Sequence, residues 1–375
     1  MINKKRLIKL TQQLIRINSE NPPGDESKIA KFTCKYLRRL GVETKTFEFK
    51  KQRTNVIAIL QGKDNNHSLL ITPHLDTVPS GKSWKINPFS AKIQNNRIYG
   101  LGATDCKGNL ACALEAINSI VEDNARLDYN LIFAATADEE SGSSLGLIPL
   151  LDKGILKPDV AIILDAEEFE IIITQKGLMH LKVKLQGKRA HGAYPDRGVN
   201  AIDKALRIIQ ELKMRKFIYK NNDYLKAPTI NIGTIKGGDK VNVVADWCEF
   251  EMDFRFLPGM SSKKLLSEIK TVIGKHAKKF TLEIEGIQEP YFIDASHPLI
   301  VSLKKAMQNL KIKPVIKGCE GATVITFFKE KNIPAVAFGF GSQGCAHIAN
   351  EYVKIENLYK GALVLEEFLK TFRFK

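Results

Sequence analysis

Apolar positions along the chain follow one rhythm up to about Gly177 and a different one just after it. Before that point, short continuous apolar runs alternate with helical patterns. Asn55–Leu60, Leu69–Thr72, Leu131–Thr136 and Val160–Leu164 read as strands buried on both faces. Lys4–Ile17, Ser27–Leu40 and Lys107–Val121 carry the spacing of amphipathic or buried helices. The alternation predicts an α/β domain whose mostly parallel mixed sheet is flanked by helices.

From His180 the pattern becomes strict alternation, with Leu181, Val183 and Leu185 on one face. A helix over Asn200–Lys213 follows, with Ala201, Ala205, Leu206 and Ile209 on its apolar side. Thr229–Ile235 alternates again and meets a Gly-Gly turn at 237–238. Cys248, Phe250, Met252, Phe254 and Phe256 form a second period-two face. Ser261–His276 is a helix opened by a serine, and Lys279–Gly286 closes the block as a strand. The order β-α-β-β-α-β predicts a ferredoxin-like domain over 177–288, inserted into a first domain made of 1–176 and 289–375. After Pro290 the α/β character resumes. Helices are expected over Leu299–Leu310, Val324–Lys329 and Ile355–Phe372, with a strand over Ala335–Phe340.

Composition changes this picture little. With 375 residues the chain is long enough for two domains, and 44% apolar and 26% charged residues are ordinary for a globular protein. No apolar run approaches the ~20 residues of a membrane helix, and the basic N-terminus lacks an apolar signal core, so a cytoplasmic protein without membrane contact is expected. The net charge of +16 comes from 57 basic and 41 acidic residues. The lysines are spread along the chain without a block interleaved with aromatics, which favours a solvated surface over nucleic-acid binding. The six cysteines contain no Cys-x-x-Cys pair and are expected to be free thiols; Cys106 and Cys345 stand close to the motifs below.

Five motifs concentrate chemistry. Thr72-Pro73-His74-Leu75-Asp76-Thr77 ends an apolar strand and places His74 and Asp76 on one side, where a carboxylate could hold a metal-bound imidazole. Tyr99-Gly100-Leu101-Gly102-Ala103-Thr104-Asp105-Cys106-Lys107-Gly108 sets Asp105 just before a helix, where it could equally be a cap. Asp138-Glu139-Glu140 puts three adjacent carboxylates at a strand end, a repulsion that a divalent cation would offset. Asp165-Ala166-Glu167-Glu168 follows another strand, and Gly344-Cys345-Ala346-His347 follows a glycine-rich turn near the C-terminus. Taken singly, His74 and Asp76 read more readily as a polar pair at a strand end, and Asp105 and the acidic run read equally well as a helix cap and a solvated loop. Together they supply imidazole and carboxylate donors along the strand-end edge where open α/β sheets bind ligands, and such a set suits a two-metal site.

The run from His74-Leu75-Asp76 through Trp84, Asn87-Pro88-Phe89 and Gly100–Gly108 resembles the acetylornithine deacetylase, succinyl-diaminopimelate desuccinylase and aminoacylase family of zinc amidohydrolases. Asp138–Gly142, Gly187-Lys188-Arg189-Ala190-His191, Asp253–Gly259 and Ala346–Glu351 carry the resemblance over essentially the whole chain. It implies two zinc ions, for which cobalt or manganese could substitute. Asp105 would bridge them, His74 and Asp165 would complete one site, and Glu140 and His347 the other. Glu139 would be the general base and Asp76 would orient His74. His191 and Asn242 would reach the active site of the other subunit of a homodimer joined through 177–288, and help hold the oxyanion. Arg255 would meet a substrate carboxylate, or serve its strand structurally.

Two departures matter. Cys106 stands where the family often has methionine. The fourth ligand could be Asp165, Glu167 or Glu168; strand-end position and distance to Gly177 favour Asp165, and an aspartate there leans toward peptidases. The implied activity is hydrolysis of an N-acyl amino acid, or alternatively of a di- or aminopeptidase substrate, by water that the metals and Glu139 activate.

Overall fold

The structure, a computed structural model, describes residues 1–374. They divide into two units. One comprises Met1–Ile173, Ile293–Lys317 and Phe327–Lys375, the other Thr174–Phe292 and Gly318–Thr326.

The first unit is built on a mixed sheet. Its strands run in the order Thr44–Glu48, Thr54–Leu60, Asn130–Ala135, Ser68–Thr72, Val160–Ile163, Ala335–Phe338 and Glu170–Gln175, the last leaving the unit after Ile173. The sheet is mixed, as expected. Its four central strands, from Asn130–Ala135 to Ala335–Phe338, are mutually parallel, and the pairs that flank them are antiparallel. The central strands are the apolar ones: Leu69, Leu70, Ile71, Phe133, Ile162 and Val336 are all buried. The outer strand Thr44–Glu48 has one buried residue in five, so no apolar run announced it.

Helix Lys107–Glu122 is buried over most of its length and packs against Lys4–Ile15 and Ile355–Thr371. Arg6 on the first helix fastens this layer by gripping the fully buried carboxylate of Glu115, with Nε 2.7 Å from Oε2. No helix among the described residues is long and apolar enough to cross a membrane.

The second unit has a four-stranded antiparallel sheet in the order Thr229–Gly237, Trp247–Phe256, Gly177–Gln186 and Phe280–Gln288. With helices Ala201–Met214 and Ser262–His276 between the strands in sequence, this is the ferredoxin-like arrangement. Its core follows from the two period-two faces. Met179, Leu181, Val183 and Leu185 lie opposite Phe254, Met252, Phe250 and Cys248, and the apolar sides of both helices cover them. Asn200 caps the first helix by accepting from the Ile202 and Asp203 amides, and Ser261 caps the second.

The boundaries expected at 177 and 288 differ from the observed ones mainly by the segment Gly318–Thr326. It joins the second unit because Gln175 exchanges hydrogen bonds with the Thr323 backbone, and Glu320 accepts from the Lys226 amide and pairs with Lys176. Polar contacts of this kind leave no periodic trace in a sequence.

Candidate metal centre

Each of the four central parallel strands runs out on the same edge, and each leads into a chemically active side chain. Ser68–Thr72 leads to His74, Asn130–Ala135 to Glu139 and Glu140, Val160–Ile163 to Asp165, and Ala335–Phe338 through a glycine-rich turn to His347. Mutual backbone bonds carry two strands past their ends, Leu75 N to Thr136 O at 2.8 Å and Thr136 N to Pro73 O at 3.1 Å. His74 and the Asp138–Glu140 loop are therefore fixed side by side.

Asp105 lies at the centre. One carboxylate oxygen is 2.8 Å from His74 Nε2 and the other 3.0 Å from His347 Nε2. Around His74, the donor atoms of Glu139 and Asp165 fall within 4.8 Å of one another and of the imidazole; around His347, those of Asp105 and Glu140 do the same. Glu140 Oε2 is 3.1 Å from His347 Nε2 and Asp165 Oδ1 is 3.8 Å from His74 Nε2. Two donor sets thus meet at Asp105, with the nitrogen and oxygen chemistry that suits zinc and related divalent ions.

The electrostatics agree with that fit. Burial, then the charges of Asp165, Asp105 and Glu140, push the Glu139 carboxyl well above its ordinary range. Burial raises Glu140 and Asp165 as well. Burial would also raise Asp105, but His347 and His74 outweigh it and hold its carboxyl low. Asp105 and Glu140 in turn push His347 up to about 11. A divalent cation neutralises such a crowd of carboxylates.

Other contacts orient the donors. His74 Nδ1 is 3.0 Å from the carbonyl oxygen of Asp76 and 3.6 Å from its carboxylate, so the nearer holder of the imidazole is the Asp76 backbone. The Asp76 carboxylate instead accepts the amides of Glu139 and Glu140, both at 3.1 Å. Glu351 is fully buried and gathers the Gly102, Thr104 and Asp105 amides at 2.8, 2.7 and 3.0 Å, which sets the loop presenting Asp105.

Among the candidates for the fourth ligand, the structure brings Asp165 to the centre. Glu167 accepts from the Gly344 and Ala346 amides, and Glu168 pairs with Lys354. Asp138 also lies outside the cluster. It forms an ion pair with Arg53 at 2.9 Å, so only two of the three adjacent carboxylates face the centre.

Cys106 accepts the His74 amide at 3.1 Å and donates to the His74 carbonyl at 3.3 Å, burial pushes its thiol up to about 12, and its sulfur lies within 4.8 Å of the His74 and Asp105 donor atoms. Cys345 is a free, buried thiol.

In the second unit, His191 is exposed and its Nδ1 accepts from the Ala193 amide, which leaves Nε2–H as a donor. The Asn242 carbonyl accepts from the Gly192 amide, tying the two loops together. Arg255 is committed to Asp253 through a bidentate contact with Nε–Oδ1 at 2.8 Å and Nη2–Oδ2 at 2.9 Å.

Asn21, Glu26, Arg53 and the role of Glu351 escaped the sequence reading. The dense turn Asn21-Pro22-Pro23-Gly24 beside an acidic helix start was the available signal for the first two.

The sequence profile of peptidase family M20/M25/M40 matches residues 70–371. An uncharacterised metallohydrolase of Methanocaldococcus jannaschii is 31% identical over 97% of this chain and 98% of its own length. The acetylornithine deacetylase of Buchnera aphidicola is 28% identical over 91% of each chain. Among solved structures, the aminopeptidase PepT of Bacillus cereus superposes with a TM-score of 0.83 at 24% identity, covering 98% of both chains. The chain belongs to peptidase family M20/M25/M40 and is a metal-dependent amidohydrolase.

Proposed function

We propose that this protein hydrolyses the amide bond of an N-acyl amino acid, in the manner of an acetylornithine deacetylase or succinyl-diaminopimelate desuccinylase, with Glu139 as general base. One observation carries the reading. The Glu139 carboxylate stands among the His74 and Asp165 donors, yet among the described residues no side chain bonds to it. A free carboxylate beside two donor sets, pushed upward by burial and by its acidic neighbours, is suited to taking and returning a proton.

His74, Asp105 and Asp165 would hold one ion and Asp105, Glu140 and His347 the other, zinc being the proposed metal with cobalt or manganese able to substitute. Bound there, the pair supplies Lewis acidity that polarises the amide carbonyl and makes water easier to ionise. The work of the chain's own groups follows. Glu139 accepts a proton from the attacking water and delivers it to the departing amine nitrogen. His74 keeps its orientation through Nδ1–H donated to the Asp76 carbonyl, and Asp76 keeps Glu139 in place through its amide.

In a homodimer formed through 177–288, His191 would donate Nε2–H to the oxyanion in the active site of the other subunit, with Asn242 beside it. Arg255 is the weaker candidate for a substrate carboxylate, because Asp253 already engages its fork.

A di- or aminopeptidase is the second reading, favoured by an aspartate at 165. Metal-loaded protein assayed against N-acetylornithine, N-succinyl-diaminopimelate and a set of dipeptides and tripeptides separates the two. A preference for the acylated amino acids in kcat/KM supports the first reading. Faster turnover of free-amine peptides overturns it in favour of the second, and absence of any amide turnover sinks both.

A further inference from the structure

A buried charged network lies behind the Glu139–Glu140 loop, away from the metal donors. Arg53 grips Glu26 through Nε–Oε2 and Nη2–Oε1, both at 2.8 Å, and reaches Asp138 Oδ1 with Nη2 at 2.9 Å. The three side chains are almost entirely enclosed, with exposures of 7% for Arg53, 0% for Glu26 and 3% for Asp138. Asp138 is further bound by the Leu145 amide at 2.9 Å and the Ser144 hydroxyl at 3.0 Å, both on Oδ2, and its own amide points to Glu26 Oε1 at 3.3 Å. Its backbone is left-handed, with φ of 66°, a conformation that a non-glycine residue keeps only when its surroundings hold it.

Asn55 stands two residues beyond Arg53 at the start of strand Thr54–Leu60, and so projects to the same side. It accepts the Ala137 amide at 2.9 Å and donates to the Leu145 carbonyl at 3.0 Å. On the other flank, Asn21 bonds Asp76 Oδ2 at 2.8 Å and lies 3.4 Å from Asp138 Oδ1, while Asp76 holds the Glu139 and Glu140 amides. Room for the guanidinium depends on Gly24, where a Cβ would come within 2.3 Å of Arg53 Nη1.

We infer that Arg53, seated by Glu26, is a positioning residue for the reaction. Through Asp138 it fixes the left-handed step from which Glu139 and Glu140 project to the metal centre. Every group that Arg53 and Asn55 hold in the 137–145 stretch belongs to this one loop. A buried ion pair gives little net stability compared with apolar packing of the same volume, but it imposes geometry. The inference rests on the proposed roles of Glu139 as base and Glu140 as ligand.

The test uses full-length Arg53→Lys and Glu26→Gln. Lysine keeps the charge but cannot fork between Glu26 and Asp138. Glutamine keeps the shape and loses the charge that seats the guanidinium. Circular dichroism and thermal unfolding establish the fold, zinc titration against a chromogenic chelator reads each site without substrate, and steady-state kinetics separate kcat from KM.

The expected result is two folded proteins. One zinc site, assigned to Asp105, Glu140 and His347, should lose affinity by about 10–100-fold, the other should be unchanged, and kcat should fall by a similar factor with KM within about threefold. Unaltered zinc affinities and kcat in both folded variants overturn the proposal. So does outright loss of the fold in both, which would make the network a packing element. Glu139→Gln run alongside keeps the two claims apart: an active Glu139→Gln refutes the base assignment, while the zinc titration of Arg53→Lys still reports on the clamp.

Discussion

Glu139 and Glu140 are neighbours in the chain with different surroundings. Glu140 sits 3.1 Å from His347, whereas the Glu139 carboxylate has no bonded partner among the described residues. Glu139→Ala should therefore retain two metal ions per chain, measured by elemental analysis after gel filtration, while kcat drops by roughly 10²–10⁴-fold. Cys106→Ser should keep both metal stoichiometry and turnover close to the parent, because the sulfur is engaged by the amide and the carbonyl of His74, contacts that a hydroxyl can also make; loss of one ion in that variant would make Cys106 a ligand. At this scale the gathering of His74, Asp105, Glu140, Asp165 and His347 was legible, since imidazoles and carboxylates at strand ends are a distinctive pattern. The residues behind them were not. Arg53 reads as any cation before an apolar strand, Asp138 as one more carboxylate in an acidic run, and Glu351 as a tail to the last motif. Their partners lie up to 249 positions away, as with Glu351 and Gly102.

Elements were legible where burial is two-sided or strictly alternating. The central strands fell within a residue or two of the expected spans and those of the second sheet within three, and Ser261 caps the helix it was expected to open. Short polar strands such as Lys92–Gln94 and Tyr352–Lys354 went unseen, because hydrogen bonds rather than apolar faces define them. Helix Lys107–Glu122 supplies a test of its own. Lys107 is buried in its first turn, with Nζ donating to the Ile17 carbonyl at 2.7 Å, and burial lowers its pKa to about 8. Between pH 8 and about 10.5 the unfolded chain keeps a proton on this lysine that the folded chain has released, so the Lys107 contribution to folding stability rises with pH across that window. Relative to Lys107→Met, the parent should gain about 2–3 kcal/mol between pH 7.5 and 10, read as the difference between the two proteins in urea unfolding at each pH.

For the whole molecule, the crowded carboxylates make metal a stability determinant. In metal-free protein, Glu139, Glu140 and Asp165 have raised pKa values, so their contribution is present at low pH and fades as pH climbs through those values; the raised His347 acts in the same direction. A divalent ion held by these groups would replace the protons and bind more tightly as pH rises. The gap in Tm between zinc-loaded and chelator-treated protein should thus be wider at pH 8 than at pH 5.5, and an equal gap would count against the centre. The site also has a timetable. Its donors are strewn between His74 and His347, and strand Ala335–Phe338 slots between Val160–Ile163 and Glu170–Gln175, which are made much earlier. At synthesis rates of roughly 5–20 residues per second, His347 leaves the ribosome about 15–55 seconds after His74. Once Asp165 has emerged, the nascent chain holds His74, Asp105 and Asp165 for the remaining 182 residues without their last companion, so maturation has a built-in order: the His74 pocket is chemically complete first, and the His347 pocket closes only when the final strand has entered the sheet.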